Sequence, residues 1–313
     1  MLQGWCVGVV VPARNEEEHI REVLETLPDF VDLAVVVNDG SEDNTLEQAK
    51  SASTTCKIEV LEGKARGVGA AIDLGHQHLL STLSEPFVSV VVAGDGQMNP
   101  SDMLGLIQPV LSLDADHVKG NRRRHPAGYQ RMPWLRKWAS AILAFFTTLA
   151  AGQRIEDPQC GYTATSSRLL KQWDWQRAWK GYGYPNYWLI NLSKDGWRIF
   201  ERPVESIYRN EKSGIKPGSF FMKVGLMMAI EHHRRNIAWL TPPTLLPHSL
   251  FALFAYGLGW SALLPNISND LEDVLVQRGI PPYILCLAFW SLAHVFDRLA
   301  TRTRRELRQH AKT

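Results

Sequence analysis

An apolar run at Val90-Val91-Val92-Ala93 ends in Gly94-Asp95-Gly96-Gln97-Met98-Asn99-Pro100. The run reads as a buried strand, so Asp95 falls at its carboxyl end, where open α/β sheets bind ligands. With Gln97 as an oxygen ligand two residues on, Asp95 could hold Mg²⁺ or Mn²⁺ against a diphosphate. A strand-end aspartate also serves as a plain turn residue. The segments around it therefore carry much of the weight.

Three other segments have the same character. In Val11-Pro12-Ala13-Arg14-Asn15-Glu16-Glu17, Pro12 stops a strand, and Arg14 and Glu16 can then face a ligand. The competing reading is a loop leading into a capped helix. In Val37-Asn38-Asp39-Gly40-Ser41-Glu42-Asp43-Asn44-Thr45, Asp39 could accept hydrogen bonds from a ribose or a base. The competing reading there is an Asx-turn followed by a helix cap. In Gly63-Lys64-Ala65-Arg66-Gly67-Val68-Gly69-Ala70-Ala71, glycines at a helix start allow close backbone approach to a ligand, and Arg66 or Lys64 could meet a phosphate. This loop is not a Walker motif, because no Gly-Lys-Ser/Thr follows, and it lacks the Rossmann spacing.

The elements that must place these residues are legible in the apolar pattern. Trp5–Val11, Val31–Val37, Lys57–Leu61 and Phe87–Ala93 read as valine-rich strands. Between them Ile20, Val23, Leu24 and Leu27, and then Val68, Ile72, Gly75 and Leu79, recur at helical spacing. Such alternation predicts an α/β fold with a doubly wound, mostly parallel sheet. Asp43-Asn44-Thr45 and Asn99-Pro100-Ser101 are expected helix starts. Beyond Gly120 the pattern loosens. Trp134–Ala151 reads as an apolar helix of the core or of a membrane surface, too short in its uncharged part to span a bilayer. Arg198–Ile207 reads as a further strand.

Composition excludes some classes. A net charge of +2 over 313 residues gives no signal for nucleic acid. Four scattered cysteines without CxxC spacing argue against a zinc site or a disulfide framework and fit a reducing compartment. No secretory signal is expected ahead of the first strand. Two apolar runs follow late in the chain, Leu245–Leu264 and Ile280–Phe296. Arg234 and Arg235 precede the first; Arg298, Arg302, Arg304, Arg305 and Arg308 follow the second. The connecting loop carries Asp270, Glu272 and Asp273 against Arg278. Basic flanks stay on the cytoplasmic side. The expectation is a two-helix transmembrane hairpin with the globular part in the cytosol; a buried helical hairpin is the alternative. His232-His233 is expected on a surface helix at the membrane. The tryptophans at 173, 175, 179, 188 and 197 are expected in core packing or at the interface.

As a set, Pro12-x-x-Asn15-Glu16, Asn38-Asp39-Gly40-Ser41, Gly67-x-Gly69-x-Ala71 and Gly94-Asp95-Gly96-Gln97-x-x-Pro100 resemble the family 2 glycosyltransferases of the GT-A fold, in the family order. The likeness covers about residues 5–220 and is greatest to the polyprenyl- and dolichol-phosphate mannosyltransferase group. It implies a catalytic domain over 1–218, a juxtamembrane amphipathic helix over 219–240, and a membrane hairpin with a basic tail over 241–313.

The resemblance also assigns roles. Pro12, Arg14, Glu16, Val37 and Asp39 fall where the family binds the donor nucleoside, with Arg66 and Gly94 beside them. Asp95 and Gln97 fall on the metal positions for Mg²⁺ or Mn²⁺. The usual Asp-x-Asp has lost its first carboxylate here to Ala93, which weakens the expected metal site. Arg122, Arg136 and Ser140 match positions that hold the acceptor phosphate, the last two being four apart on one helix face. Asp157, in Asp157-Pro158-Gln159-Cys160-Gly161-Tyr162, is the candidate base if the acceptor is a hydroxyl; Cys160 replaces the usual serine. Arg209 and Lys212 match a late segment that neutralises the leaving diphosphate. The implied reaction is inverting transfer from a GDP- or UDP-linked sugar to a polyprenyl phosphate. The rivals are transfer to a glycolipid or polysaccharide hydroxyl, and an inactive nucleotide-sugar-binding membrane partner.

Overall fold

The computed structural model describes residues 1–126, 134–176, 179–181, 183–207, 217–240, 246–262 and 282–310, with the side chains of Leu135, Arg136, Pro217 and Pro282 outside that description. Four parallel strands come first: β1 (Cys6–Ala13), β2 (Leu33–Asn38), β3 (Lys57–Glu62) and β4 (Phe87–Val91). Then β5 (His117–Asn121), β6 (Thr163–Ser166) and β7 (Ile199–Pro203) complete a sheet ordered β3-β2-β1-β4-β6-β5-β7. β6 runs antiparallel to both neighbours, and β7 is parallel to β5.

Both faces of the sheet are covered, and the alternation of side chains along β1 shows how. Val7, Val9 and Val11 pack with α1 (Ile20–Glu25) and α4 (Met103–Leu111), through Ile20, Leu24, Leu106 and Ile107. Val10 faces the other way, toward α3 (Val68–Thr82) and α7 (Tyr184–Lys194). α3 sits close because two glycines let it: a Cβ on Gly8 would lie 2.8 Å from Leu79, and one on Gly75 2.3 Å from Val10. The short α2 (Thr45–Lys50) and α6 (Ser167–Gln172) complete this part. Both expected helix starts are present: Thr45 opens α2, and the Asn99 side chain accepts from the Ser101 amide ahead of a 3₁₀ turn.

β5 and β6 were not expected from the pattern. Their polar residues are buried because they satisfy one another. His117 Nδ1 lies 2.9 Å from Thr165 Oγ1, and the Lys119 ammonium donates to the Cys160 carbonyl. The predicted strand at Arg198–Ile207 is shorter, ending at Pro203, with a single bridge further on at Ser206.

Four longer helices form the rest: α5 (Trp134–Ala151), α8 (Pro217–Ala238), α9 (Pro247–Ser261) and α10 (Pro282–His310). α9 and α10 run antiparallel, since Phe251, Tyr256 and Trp260 meet Phe296, His294 and Trp290 in turn. Among the described residues one helix, Tyr283–His310, is long and apolar enough to cross a membrane, and only 28% of its apolar window is buried. The expected loop from Pro265 to Gly279 lies outside the described residues.

α10 is bolted to the globular part by charge. Arg235 on α8 is fully buried. Its guanidinium donates to Asp297 Oδ2 at 2.6 Å, Thr301 Oγ1 at 2.9 Å and the Ala150 carbonyl at 3.0 Å, and it packs 4.9 Å from the Trp239 ring. Arg308 lies 3.4 Å over Trp197 and donates to the Asp195 carbonyl. His232 corrects an expectation: it is 7% exposed, not on the surface, and packs among His233, Tyr256 and His294. His233 beside it is half-buried and reaches the same Tyr256 ring, while Arg234 is exposed, so both histidines lie on the inward side of α8. Trp173, Trp188 and Trp197 are core residues, Trp173 stacked on Trp188 at 4.2 Å.

Candidate active site

The four strand ends meet at one edge of the sheet. Register pairs Ala13 with Asn38 and Asn38 with Glu62. The following residues lock these ends together: Asp39 N donates to Ala13 O at 2.9 Å, Gly63 N to Asn38 O at 2.7 Å, and Gly94 N to Pro12 O at 3.2 Å. The β1 and β2 loops are also joined by short polar side chains. Asn15 N donates to Ser41 Oγ, Glu42 N to Asn15 Oδ1, and Glu16 N to Thr45 Oγ1. Arg14 and Arg66 are exposed along this edge, while Pro12 and Glu16 are half-buried.

Asp39 has a task at this edge that the sequence did not reveal. Its carboxylate is buried and accepts from the backbone of the glycine loop, from Arg66 N at 3.0 Å and Gly67 N at 2.8 Å. Gly67 needs the left-handed region at φ +100°. A Cβ on Gly69 would fall 2.2 Å from the Trp179 carbonyl. So Asp39 fixes the loop that opens α3, and its remaining lone pairs are what a ribose could use. In place of the Asx-turn expected here, Asn38 Oδ1 accepts from Ser41 N, three residues on. The Val37 side chain points into the core, leaving only its backbone near the edge.

Asp95 sits in a turn at Gly96, φ +69°, and its Oδ1 accepts from Gln97 N at 3.0 Å. Ala93 N donates to the Met98 sulfur. The chain beyond β7 runs beside this turn: Ile207 N donates to Gln97 O at 2.9 Å, and Asn99 Nδ2 donates to Glu205 Oε2 at 2.9 Å. The segment with Arg209 and Lys212 follows and lies outside the described residues. Among the described residues no three His, Cys, Asp or Glu side chains gather to hold a metal. One carboxylate and one amide oxygen fit a cation that keeps its waters and takes its other ligands from a substrate phosphate, as Mg²⁺ commonly does.

Across the sheet, Asp157 is fully buried and forms a fork with Arg122. Arg122 Nε and Nη2 donate to its two oxygens at 2.8 Å each, and Arg122 N donates at 3.0 Å. Burial by itself raises the Asp157 pKa; the Arg122 charge and hydrogen bonds, with Lys119 behind, outweigh it and hold the carboxyl below its ordinary value. Glu201 presents Oε1 to the amides of Glu156 and Asp157, fixing the loop. Glu156 pairs with Arg124 at 2.6 Å and Arg154 at 2.9 Å, and chiefly the Arg124 bond lowers its pKa to about 2. Neither Glu156 nor Glu201 carried a motif signal; adjacency to Asp157 was the one clue to the former. Ser140 Oγ is buried and has no hydrogen-bond partner among the described residues. Cys160 is buried, and burial pushes its thiol pKa up, which makes it a poor nucleophile.

A family model described as "Glycosyl transferase family 2" matches residues 8–173, which include the four strand-end segments and the Asp157 loop. The chain belongs to glycosyl transferase family 2. Over 217 residues it is 29% identical to a UDP-N-acetylglucosamine–dolichyl-phosphate N-acetylglucosaminyltransferase of Methanococcus voltae, covering 64% of this chain and 86% of that one. Over 299 residues it is 25% identical to the glycosyltransferase AglJ of Haloferax volcanii, covering 92% of each, so this likeness extends through the C-terminal helices. The chain superposes with TM-score 0.54 on glucosyl-3-phosphoglycerate synthase of Mycobacterium tuberculosis in complex with Mn²⁺ and UDP-glucose, at 20% identity over 73% of this chain and 79% of that one. At that identity the likeness speaks for the fold alone. This family 2 glycosyltransferase has the GT-A architecture, with the antiparallel β6 set between β4 and β5.

Proposed function

We propose that this family 2 glycosyltransferase moves a sugar from a nucleoside diphosphate to the phosphate of a polyprenyl phosphate, at the cytosolic face of a membrane. The observation that carries the acceptor is the Arg122–Asp157 fork. A carboxylate held ionised by two guanidinium hydrogen bonds is a weak base, and a hydroxyl acceptor needs a base. A phosphate oxygen is already anionic near neutral pH. Arg122, with its plane fixed by Asp157, together with Arg136 and Ser140, suits paired hydrogen bonds to that phosphate. The M. voltae relative, named for transfer to dolichyl phosphate, supports this acceptor.

On the donor side, Pro12, Arg14, Glu16, Asp39 and the Val37 backbone take the nucleoside, GDP- or UDP-linked. Arg66 and Gly94 border its phosphates. Asp95 and Gln97 would hold Mg²⁺ or Mn²⁺, whose charge offsets that of the departing diphosphate. Arg209 and Lys212 are assigned the same task from the other side. The acceptor oxygen attacks the anomeric carbon, the bond from that carbon to the diphosphate oxygen breaks, and its electron pair leaves with the diphosphate. One in-line displacement inverts the centre. Positioning and charge neutralisation supply most of the acceleration.

Membrane placement rests on exposed apolar stripes. Trp134, Trp138, Ile142 and Phe145 on α5, and Met222, Leu226, Ile230 and Ile237 on α8, are all exposed. With the apolar α10 they form one face that suits lipid. In this reading residues 1–218 catalyse, 219–240 lie at the surface, and 241–313 anchor.

The test is transfer by purified full chain from labelled nucleotide sugars to polyprenyl phosphate. No transfer from any donor, with folded protein, overturns the reading. Asp157→Asn then separates acceptors. A kcat loss of about a hundredfold or more, with its acidic pH limb gone, marks a hydroxyl acceptor. A rise in acceptor KM with the pH profile unchanged marks phosphate.

A further inference from the structure

A cleft of about 550 Å³ lies between α5, α10 and the loops that carry Arg123 and Glu156, the chain neighbours of the Arg122–Asp157 fork. Its floor on α5 is apolar, with Ala141, Ala144 and Phe145. Its rim carries Arg123, Arg154 and Arg298, one from each of three separate parts of the chain, against the single acid Glu156. That acid is already shared. Arg124 and Arg154 bond its carboxylate, and Arg123 Nη1 donates to its carbonyl at 3.1 Å. Arg298, exposed on α10, has no acidic partner among the described residues.

Arg298 faces the cleft because of its neighbour. Asp297 is buried against Arg235, and Thr301, one turn on, is held by the same guanidinium. Those two bonds set the rotation of α10 about its axis. The next residue is then turned about 100° away from Asp297, onto the cleft. An anionic head on an apolar chain matches such lining: arginines at the rim, apolar side chains at the floor. Phe145 also belongs to the exposed stripe of α5, so the floor is continuous with the apolar face.

We propose that Arg298, contributed by the C-terminal helix, binds the anionic head of the lipid acceptor in this cleft, which makes α10 part of the acceptor site and not only an anchor. The inference rests on the polyprenyl-phosphate reading above and deepens it. A guanidinium–phosphate contact in a half-open cleft sets the size of the effect.

The test uses the full chain and three variants: Arg298→Gln, Arg298→Lys and Arg302→Gln. Arg302 is the control, being one turn further along, 79% exposed and paired with Glu306. Arg298→Gln is expected to raise the acceptor KM about five- to tenfold, with donor KM and melting temperature unchanged. Arg298→Lys keeps most of the affinity, and Arg302→Gln behaves as the wild type. Equal losses in Arg298→Gln and Arg302→Gln would mean general attraction to an anionic surface and overturn the proposal. So would a deficit that appears only when phosphatidylglycerol is added to phosphatidylcholine vesicles, since the cleft would then hold a membrane headgroup. The gain in retention when polyprenyl phosphate is doped into phosphatidylcholine vesicles reads the same contact without turnover. Wild type that shows this gain but transfers nothing, with Arg298→Gln showing no gain, sinks the transferase reading and leaves this site standing. Wild type that transfers, with Arg298→Gln unchanged in KM and in that gain, sinks this site alone.

Discussion

The two sides of the sheet are built by different means. On the side proposed for the donor, β1 to β4 end in register, and their loops are joined by backbone hydrogen bonds and short polar side chains such as Asn15, Ser41 and Thr45. On the side proposed for the acceptor, structure hangs on buried arginine–aspartate pairs between distant parts of the chain: Arg122 with Asp157, and Arg235 with Asp297. The difference is physical. Parallel strands of similar length deliver their ends to one edge without help. Helices packed at the end of a sheet have no such register, so charged pairs with fixed geometry set their positions.

That contrast can be broken in order of expected effect. Arg235→Ala should cost about 3–5 kcal/mol by leaving Asp297 buried and unpaired, seen as a lower melting temperature of the detergent-solubilised chain. Replacing both, as Arg235→Met with Asp297→Leu, should recover much of it; failure to recover would mean the pair is needed for more than charge balance. Next is a pH effect on the sheet's other face. Asp73 on α3 is buried and receives the Tyr184 hydroxyl at 3.1 Å. Burial raises its pKa from 3.8 to about 7, the Tyr184 bond opposing. The folded state therefore holds this proton more tightly than the unfolded chain. The contribution of Asp73 to stability is greatest below about pH 4 and falls as pH rises toward 7, by at most about 4 kcal/mol. Asp73→Asn should flatten that slope, and an unchanged slope would contradict the assignment.

On the donor side, Gly69→Ala should cost about 1–3 kcal/mol, because a methyl cannot fit against the Trp179 carbonyl. It should weaken nucleotide-sugar binding, read by calorimetry, while leaving vesicle retention alone. The smallest effect is expected at α5. Trp138→Ala, at an exposed position, should move stability by no more than about 0.5 kcal/mol, yet lower retention on phosphatidylcholine vesicles. Equal retention would remove the membrane role of that stripe.

Much of the donor side was legible in the sequence. Valine runs gave four strands, and turn residues after each gave the loops. β5 and β6 were not legible, because His117, Lys119 and Thr165 look like surface residues until their partners are known. Asp39 was placed at the correct edge with an incomplete role, since its partners at Arg66 and Gly67 are 27 and 28 residues on. His232 was misplaced for a similar reason. A histidine beside arginines reads as solvated, and only packing against Tyr256 and His294 shows otherwise.

The sequence by itself determined the alternation of strands and helices and the residue types at the strand ends. Those follow from short-range rules: apolar period, turn chemistry and the limited φ/ψ choices of glycine and proline. Only the tertiary structure decided that Arg122 is committed to Asp157 and that α10 turns Arg298 toward the catalytic part. A charge chooses its partner by distance in space, and that distance does not exist until the chain has folded.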